Sequence, residues 1–144
     1  MKKLICLLGM TACIFAAHAQ SADDESLFIV FSPNSAELQG VSPEQAIYNS
    51  KIFTIVAQLL LDNPKYRILI DGHANPVIKT SAEEKEQLKP LSEQRAEAAA
   101  KFLVEYFGVA RYRLILTGAG GRFPSETQDP SLNRRVSFIV IAYQ

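Results

Sequence analysis

Arg95 is the residue whose type and placement most invite a chemical role. It follows Leu91-Ser92-Glu93-Gln94, and with Ser92 read as an N-cap it stands in the first turn of a helix. An exposed cation there opposes the helix dipole by about 0.3–1 kcal/mol, so it should answer to a ligand or to an ion-pair partner. A guanidinium holds a carboxylate through two parallel N–H donors, and a helix start adds free N–H groups for an anion. The plainer alternative is a surface arginine paired with Glu44, Glu84 or Glu97. His73 is the second candidate, and apart from His18 it is the only histidine. A zinc site needs three or four ligands, and none can be assembled around it, because both cysteines, Cys6 and Cys13, lie at the start of the chain. A Ser/His/Asp arrangement can be drawn with Asp71, but nothing resembles a nucleophile elbow, and a lone histidine lacks the partners of general-base catalysis. Gly118-Ala119-Gly120-Gly121 is no phosphate cradle, since neither Lys-Ser/Thr nor a helix follows it; it reads as a tight turn. No cofactor is implied, and enzymatic activity is not expected.

The elements that must position these groups are marked by pattern. Leu27–Phe31 is a short run of strand formers, ended by the loop signal Ser32-Pro33-Asn34-Ser35. Ser42-Pro43-Glu44-Gln45 has the layout of a capping box with proline at the first helical position. Ile52, Val56 and Leu59/Leu60 give the following helix a buried stripe until Asp62-Asn63-Pro64 stops it. Tyr66–Ile70 reads as a strand, and its unbroken Ile-Leu-Ile predicts burial on both faces beside parallel neighbours. Residues 76–90 form a charged connection, with Ser81 capping a helical turn or two that ends at Pro90. A second helix runs from Ser92 to about Phe107 with a face of Ala96, Ala99, Ala100 and Leu103, and Gly108 closes it. Tyr112–Leu116 and Val136–Ile141 supply two more strands. The fold class predicted is an α/β sandwich of the α+β type, in βαβαββ order, with helices packed on a mixed four-stranded sheet.

The termini and composition bound the rest. Lys2 and Lys3, the apolar stretch Leu4–Ala17 and the small-x-small pattern Ala17-His18-Ala19 read as an export signal over residues 1–19. The apolar stretch is short for a bilayer span, so no membrane span is expected in the mature chain. Cys13 after Met10-Thr11-Ala12 offers lipidation as an alternative, although Ile14–Ala17 continues the apolar run. Residues 20–26 read as a polar leader and 27–144 as one domain. With 15 Lys and Arg against 15 Asp and Glu, loss of Lys2 and Lys3 leaves a slight acidic excess. Such a balance lacks the electrostatic footprint of a nucleic-acid binder.

Five segments then resemble one family. Phe31-Ser32-Pro33-Asn34-Ser35-Ala36-Glu37-Leu38, Gly72-His73-Ala74-Asn75, Leu91-Ser92-Glu93-Gln94-Arg95-Ala96, Gly118–Pro124 and Asn133-Arg134-Arg135-Val136 are similar, in order, to the motifs of the OmpA-like domain. The resemblance covers roughly Leu27 to Tyr143. It implies a non-catalytic module of the bacterial periplasm or outer-membrane envelope that binds the peptidoglycan stem peptide. In that family the aspartate of Gly-His-Thr-Asp and the arginine of Leu-Ser-x-x-Arg take the ammonium and carboxylate of diaminopimelate. Arg95 matches the arginine; Asn75 stands where the aspartate would be.

Asn75 can accept a hydrogen bond from an ammonium but brings no charge, and a charge-assisted bond is roughly twice as strong as a neutral one. The expectation is weakened diaminopimelate binding, or a different wall chemistry such as an ornithine or lysine stem; an ordinary Asn-Pro turn is the alternative. By the same resemblance Asn34 and Asn133 position loops, His73 orients its loop, and Arg134 adds a second cation. Neighbouring strand residues face opposite sides, so only one of Arg134 and Arg135 should reach the site. Three readings follow: a peptidoglycan binder that links the wall to the outer membrane or other envelope proteins, a protein-interaction module that has lost wall binding, and, least favoured, a small hydrolase.

Overall fold

The computed structural model describes residues 27–75, 82, 84–123 and 129–142. The export signal, the leader, the Pro76 turn, the Ser81 cap and Pro124 lie outside these residues, as does Tyr143. The elements are β1 (Leu27–Val30), α1 (Pro43–Asp62), β2 (Tyr66–Gly72), α2 (Lys89–Phe107), β3 (Leu114–Gly118) and β4 (Arg135–Ala142). This is the βαβαββ order, an α+β fold with two helices on a mixed sheet.

The start of α1 is fixed by its own sequence. Ser42 Oγ accepts from the Gln45 N–H at 3.3 Å, and the Ser42 N–H donates to Gln45 Oε1 at 3.4 Å, so two orphan donors are satisfied reciprocally. At the far end of α1, Arg113 donates to the carbonyls of Leu60, Asn63 and Tyr66, where a helix leaves acceptors unfilled and favours a cation.

The four strands lie in the order β1-β4-β2-β3. β2 and β3 are parallel, while β4 runs antiparallel to both β1 and β2. One sheet face, through Ile29, Ile68, Ile70, Leu114, Val136 and Phe138, shares a single core with Phe53 and Leu60 of α1 and Ala96 and Leu103 of α2. Each such aliphatic residue contributes about 1.5–3 kcal/mol when fully buried. The other face is open: Ile115 and Ile139 are 38 and 47 % exposed, and Leu69 lies between them in register. The expected burial of β2 on both faces, with parallel neighbours on both sides, is therefore corrected. Its apolar run is continuous because Leu69 fills a partly covered stripe, and one of its two neighbours is antiparallel.

The start of α2 also differs from expectation. The helix begins at Lys89, with Leu88 at the cap position and no side-chain cap. A π-helical turn, Glu84–Leu88, runs directly into it and offers carbonyl acceptors to N–H groups that would otherwise be orphans. Pro90 does not end that turn. It lies in the first turn of α2, where a missing N–H costs nothing. Ser92 is thus inside the helix and Arg95 well beyond its first turn, so the dipole argument for Arg95 does not apply. The helix stops as expected, with Gly108 left-handed at φ 67°.

A pair of glycines seats this helix on the sheet. Gly72 and Gly118 are opposite each other at the ends of β2 and β3. A Cβ on Gly72 would overlap the Ser92 carbonyl oxygen, and one on Gly118 would overlap the Glu93 side chain. Only hydrogen at both positions lets the helix come down far enough to place Arg95 under the adjoining loops.

Candidate functional site

Three loops meet above α2 where the sheet ends. The loop after β2 is tied on both sides: the His73 N–H donates to Arg135 O and the Ala74 N–H to Gly120 O, each at 2.8 Å. Ser92, fully buried, donates to Lys89 O at 2.7 Å and accepts from the Gly120 N–H at 2.9 Å. The loop after β1 turns at Asn34, whose φ of 51° is one that asparagine tolerates better than most residues. The Phe31 N–H donates to Arg134 O at 2.8 Å, which joins this loop to the start of β4.

Arg95 binds the loops together from below. It has no exposed surface, and its guanidinium donates to the carbonyls of Ser35 at 2.8 Å, His73 at 2.8 Å and Ser32 at 3.2 Å. Its charged carbon also lies 5.5 Å from the centre of the Phe31 ring. These bonds use three of five N–H groups. Neither Arg95 nor Arg134 is in an ion pair with a carboxylate among the described residues; Glu97, one of the expected partners, pairs with Arg111 at 3.6 Å instead. Burial, with Arg134 adding to it, pulls the Arg95 pKa down to about 10, so it remains charged at neutral pH.

Beside Arg95 opens a cleft of about 400 Å³ lined by Pro33, Asn34, Asn75, Leu91, Arg95 and Arg134, together with Gln87 and Leu88. Four of the five site residues expected from sequence thus converge. The fifth, Asn133, is not in the lining; its Nδ2 donates to Asn75 Oδ1 at 3.4 Å. Arg134 donates to the carbonyls of Phe31 and Pro130, whereas Arg135 turns to Ser137, Leu132 and Phe123. Leu91 and Pro33 were within reach of sequence reasoning, as the residues before Ser92 and Asn34. Gln87 and Leu88 carried no signal, being part of a charged connection. A larger groove of about 490 Å³ between α1 and α2, with Phe53, Phe102 and Tyr106 in its wall, contains none of the expected site residues.

His73 takes part through its backbone. Its imidazole is 5 % exposed, with Nε2 3.4 Å from Asp71 Oδ2 and Nδ1 without a hydrogen-bond partner among the described residues. Burial holds its pKa below the ordinary value, Arg135 adds to the drop and Asp71 opposes it. Among the described residues no group of His, Cys, Asp and Glu could hold a metal ion, and no helix is long and apolar enough to cross a membrane.

The sequence pattern of the OmpA family matches residues 30–136, a span that takes in all three loops and the cleft. The chain belongs to the OmpA family. Solved OmpA-like structures share the fold. The peptidoglycan-associated lipoprotein from Burkholderia pseudomallei is 23 % identical with a TM-score of 0.62, over 83 % of this chain and 98 % of that one. The OmpA-like domain of FopA1 from Francisella tularensis subsp. tularensis SCHU S4 is 19 % identical with a TM-score of 0.64, over 80 % and 71 %. The C-terminal domain of Helicobacter pylori MotB is 20 % identical with a TM-score of 0.60, over 81 % and 86 %. At these identities the likeness is one of fold. A comparison with the curated proteins finds no match.

Proposed function

We propose that this OmpA-family chain is an exported cell-envelope module that binds the peptidoglycan stem peptide without cleaving it, in the cleft between Asn34, Asn75, Arg95 and Arg134. One observation carries the reading: two guanidiniums line one cleft with no carboxylate within ion-pair distance of either among the described residues. Like charges held together are costly, and an anionic ligand relieves that cost. The stem peptide supplies carboxylates, and a solved relative of the same fold bears the name peptidoglycan-associated lipoprotein. Arg134, half-buried, is the cation that reaches a ligand at the rim. Arg95, with no exposed surface, fixes the floor and the local potential from below. The signal segment 1–19 takes the chain to the periplasm, where the domain acts on the wall side of the outer membrane.

Sedimentation with purified sacculi tests this. The mature chain should pellet with them and release no muropeptides, and Arg134→Gln should reduce pelleting while the protein stays folded. Equal pelleting of both proteins, or none of the native chain, would overturn the proposal. A second reading, a protein-interaction module of the same fold, is favoured by the partly exposed Ile115 and Ile139 on the open sheet face; it predicts no pelleting at all.

A further inference from the structure

The described lining of the cleft carries positive charge and neutral amides but no carboxylate. Of the lining residues described, Arg95 and Arg134 are cationic, none is acidic, and Pro33, Leu88 and Leu91 carry no polar side-chain atom. The remaining side chains are amides. The oxygen of Asn75 already accepts from the Asn133 N–H at 3.4 Å, so one of its two lone pairs is taken and its NH₂ remains as a donor. An arriving carboxylate finds Arg134 at the rim, the field of the buried Arg95 beneath it, and amide donors. Among the described lining residues an arriving ammonium finds two like charges and no carboxylate, only neutral amide oxygens. The one described carboxylate that acts on Arg134, Asp129, is outside that lining; a desolvated cation so placed is disfavoured.

We infer that this cleft selects a stem-peptide carboxylate with no ammonium beside it, and discriminates against both the zwitterionic end of diaminopimelate and the bare ammonium of lysine or ornithine. The inference rests on the stem-peptide reading above and narrows it. It also counts against the lysine or ornithine stem as the explanation of Asn75, because each of those ends in a cation for which the described lining holds no carboxylate. Acceptable ligands are stems whose third residue has a blocked or absent terminal amine, and the free carboxylates of the glutamate or terminal alanine units.

The test compares two synthetic stem tripeptides, one with diaminopimelate at the third position and one with 2-aminopimelate, which keeps the terminal carboxylate and lacks the amine. Calorimetric titration of the mature chain should give about tenfold tighter binding of the 2-aminopimelate stem, the size of one lost charge-assisted contact. Asn75→Asp should reverse the order by restoring an acceptor with charge. Diaminopimelate bound as tightly as 2-aminopimelate, or more tightly, would overturn the inference, and so would Asn75→Asp leaving the ratio unchanged. Retention of the protein on sacculi keeps the wall-binding proposal standing in either case. If neither peptide binds while sacculi are retained, the inference alone fails. If sacculi are not retained either, both fail.

Discussion

Truncating Arg95 would strip the carbonyls of Ser32, Ser35 and His73 of a donor at once. Each hydrogen bond of this kind is worth about 1–1.5 kcal/mol net and more when the partner stays buried. Arg95→Ala is therefore expected to lose about 3 kcal/mol or more, read as a lowered urea midpoint, and its loss of binding would be partly a loss of fold. Arg134→Gln is the sharper probe of binding: its side chain is half-buried and gives up two carbonyl contacts, to Phe31 and Pro130, so stability should fall by about 1–2 kcal/mol, less than for Arg95→Ala. His73 gives a pH signature. With its folded pKa held below the unfolded value of about 6.5, the unfolded chain binds the proton more readily, so its contribution to stability is complete above that pH. It is lost as pH falls from there through the lower folded pKa, and levels off below. Urea midpoints between pH 7.5 and 5 should fall for the native chain and fall less for His73→Gln; equal slopes would contradict this. Arg95 was legible at this scale as a residue, but not its role. A sequence shows that a guanidinium is present, whereas the three carbonyls that hold it belong to loops 22 to 63 residues away.

At the scale of elements, the sequence specified what is encoded locally. The Ser42 capping box, the stop at Asn63, the alanine face of α2 and Gly108 all depend on residues within a turn or two of one another. What depended on neighbours was misread. Ser92 has the type of a cap, yet the turn before it is already helical, so its hydroxyl is spent on Lys89 and Gly120. The Ile-Leu-Ile of β2 suggested two covered faces because a partly exposed leucine cannot be told from a buried one by type. Gly72 makes a clear element-scale prediction. Gly72→Ala forces backbone of α2 away from β2, since the overlap is with a carbonyl rather than a flexible side chain. It should cost more than about 2 kcal/mol and weaken sacculus binding by displacing Arg95. Asn49, 4 % exposed, bonds both backbone groups of Val30 at 3.0 and 2.9 Å and so covers the outer edge of β1. Asn49→Leu should lose about 2 kcal/mol and raise the tendency to associate through that edge, as seen by light scattering.

For the whole molecule, the fold places its helices on one sheet face and its cleft at the end of the sheet, so the proposed wall-binding cleft and the open apolar face are separate surfaces. That separation makes the account testable in a single experiment. The proposed binding to the cleft would be electrostatic in part, and it should weaken as salt shortens the Debye length from about 10 Å at 0.1 M; association through Ile115 and Ile139 would not. The most direct measurement is a backbone-amide NMR titration of the mature chain with soluble muropeptides. Shifts should concentrate at Asn34, Asn75, Gln87–Leu91 and Arg134, and spare the open sheet face. Shifts gathered around Leu69, Ile115 and Ile139, or none at all, would contradict a peptidoglycan site in the Arg95 cleft.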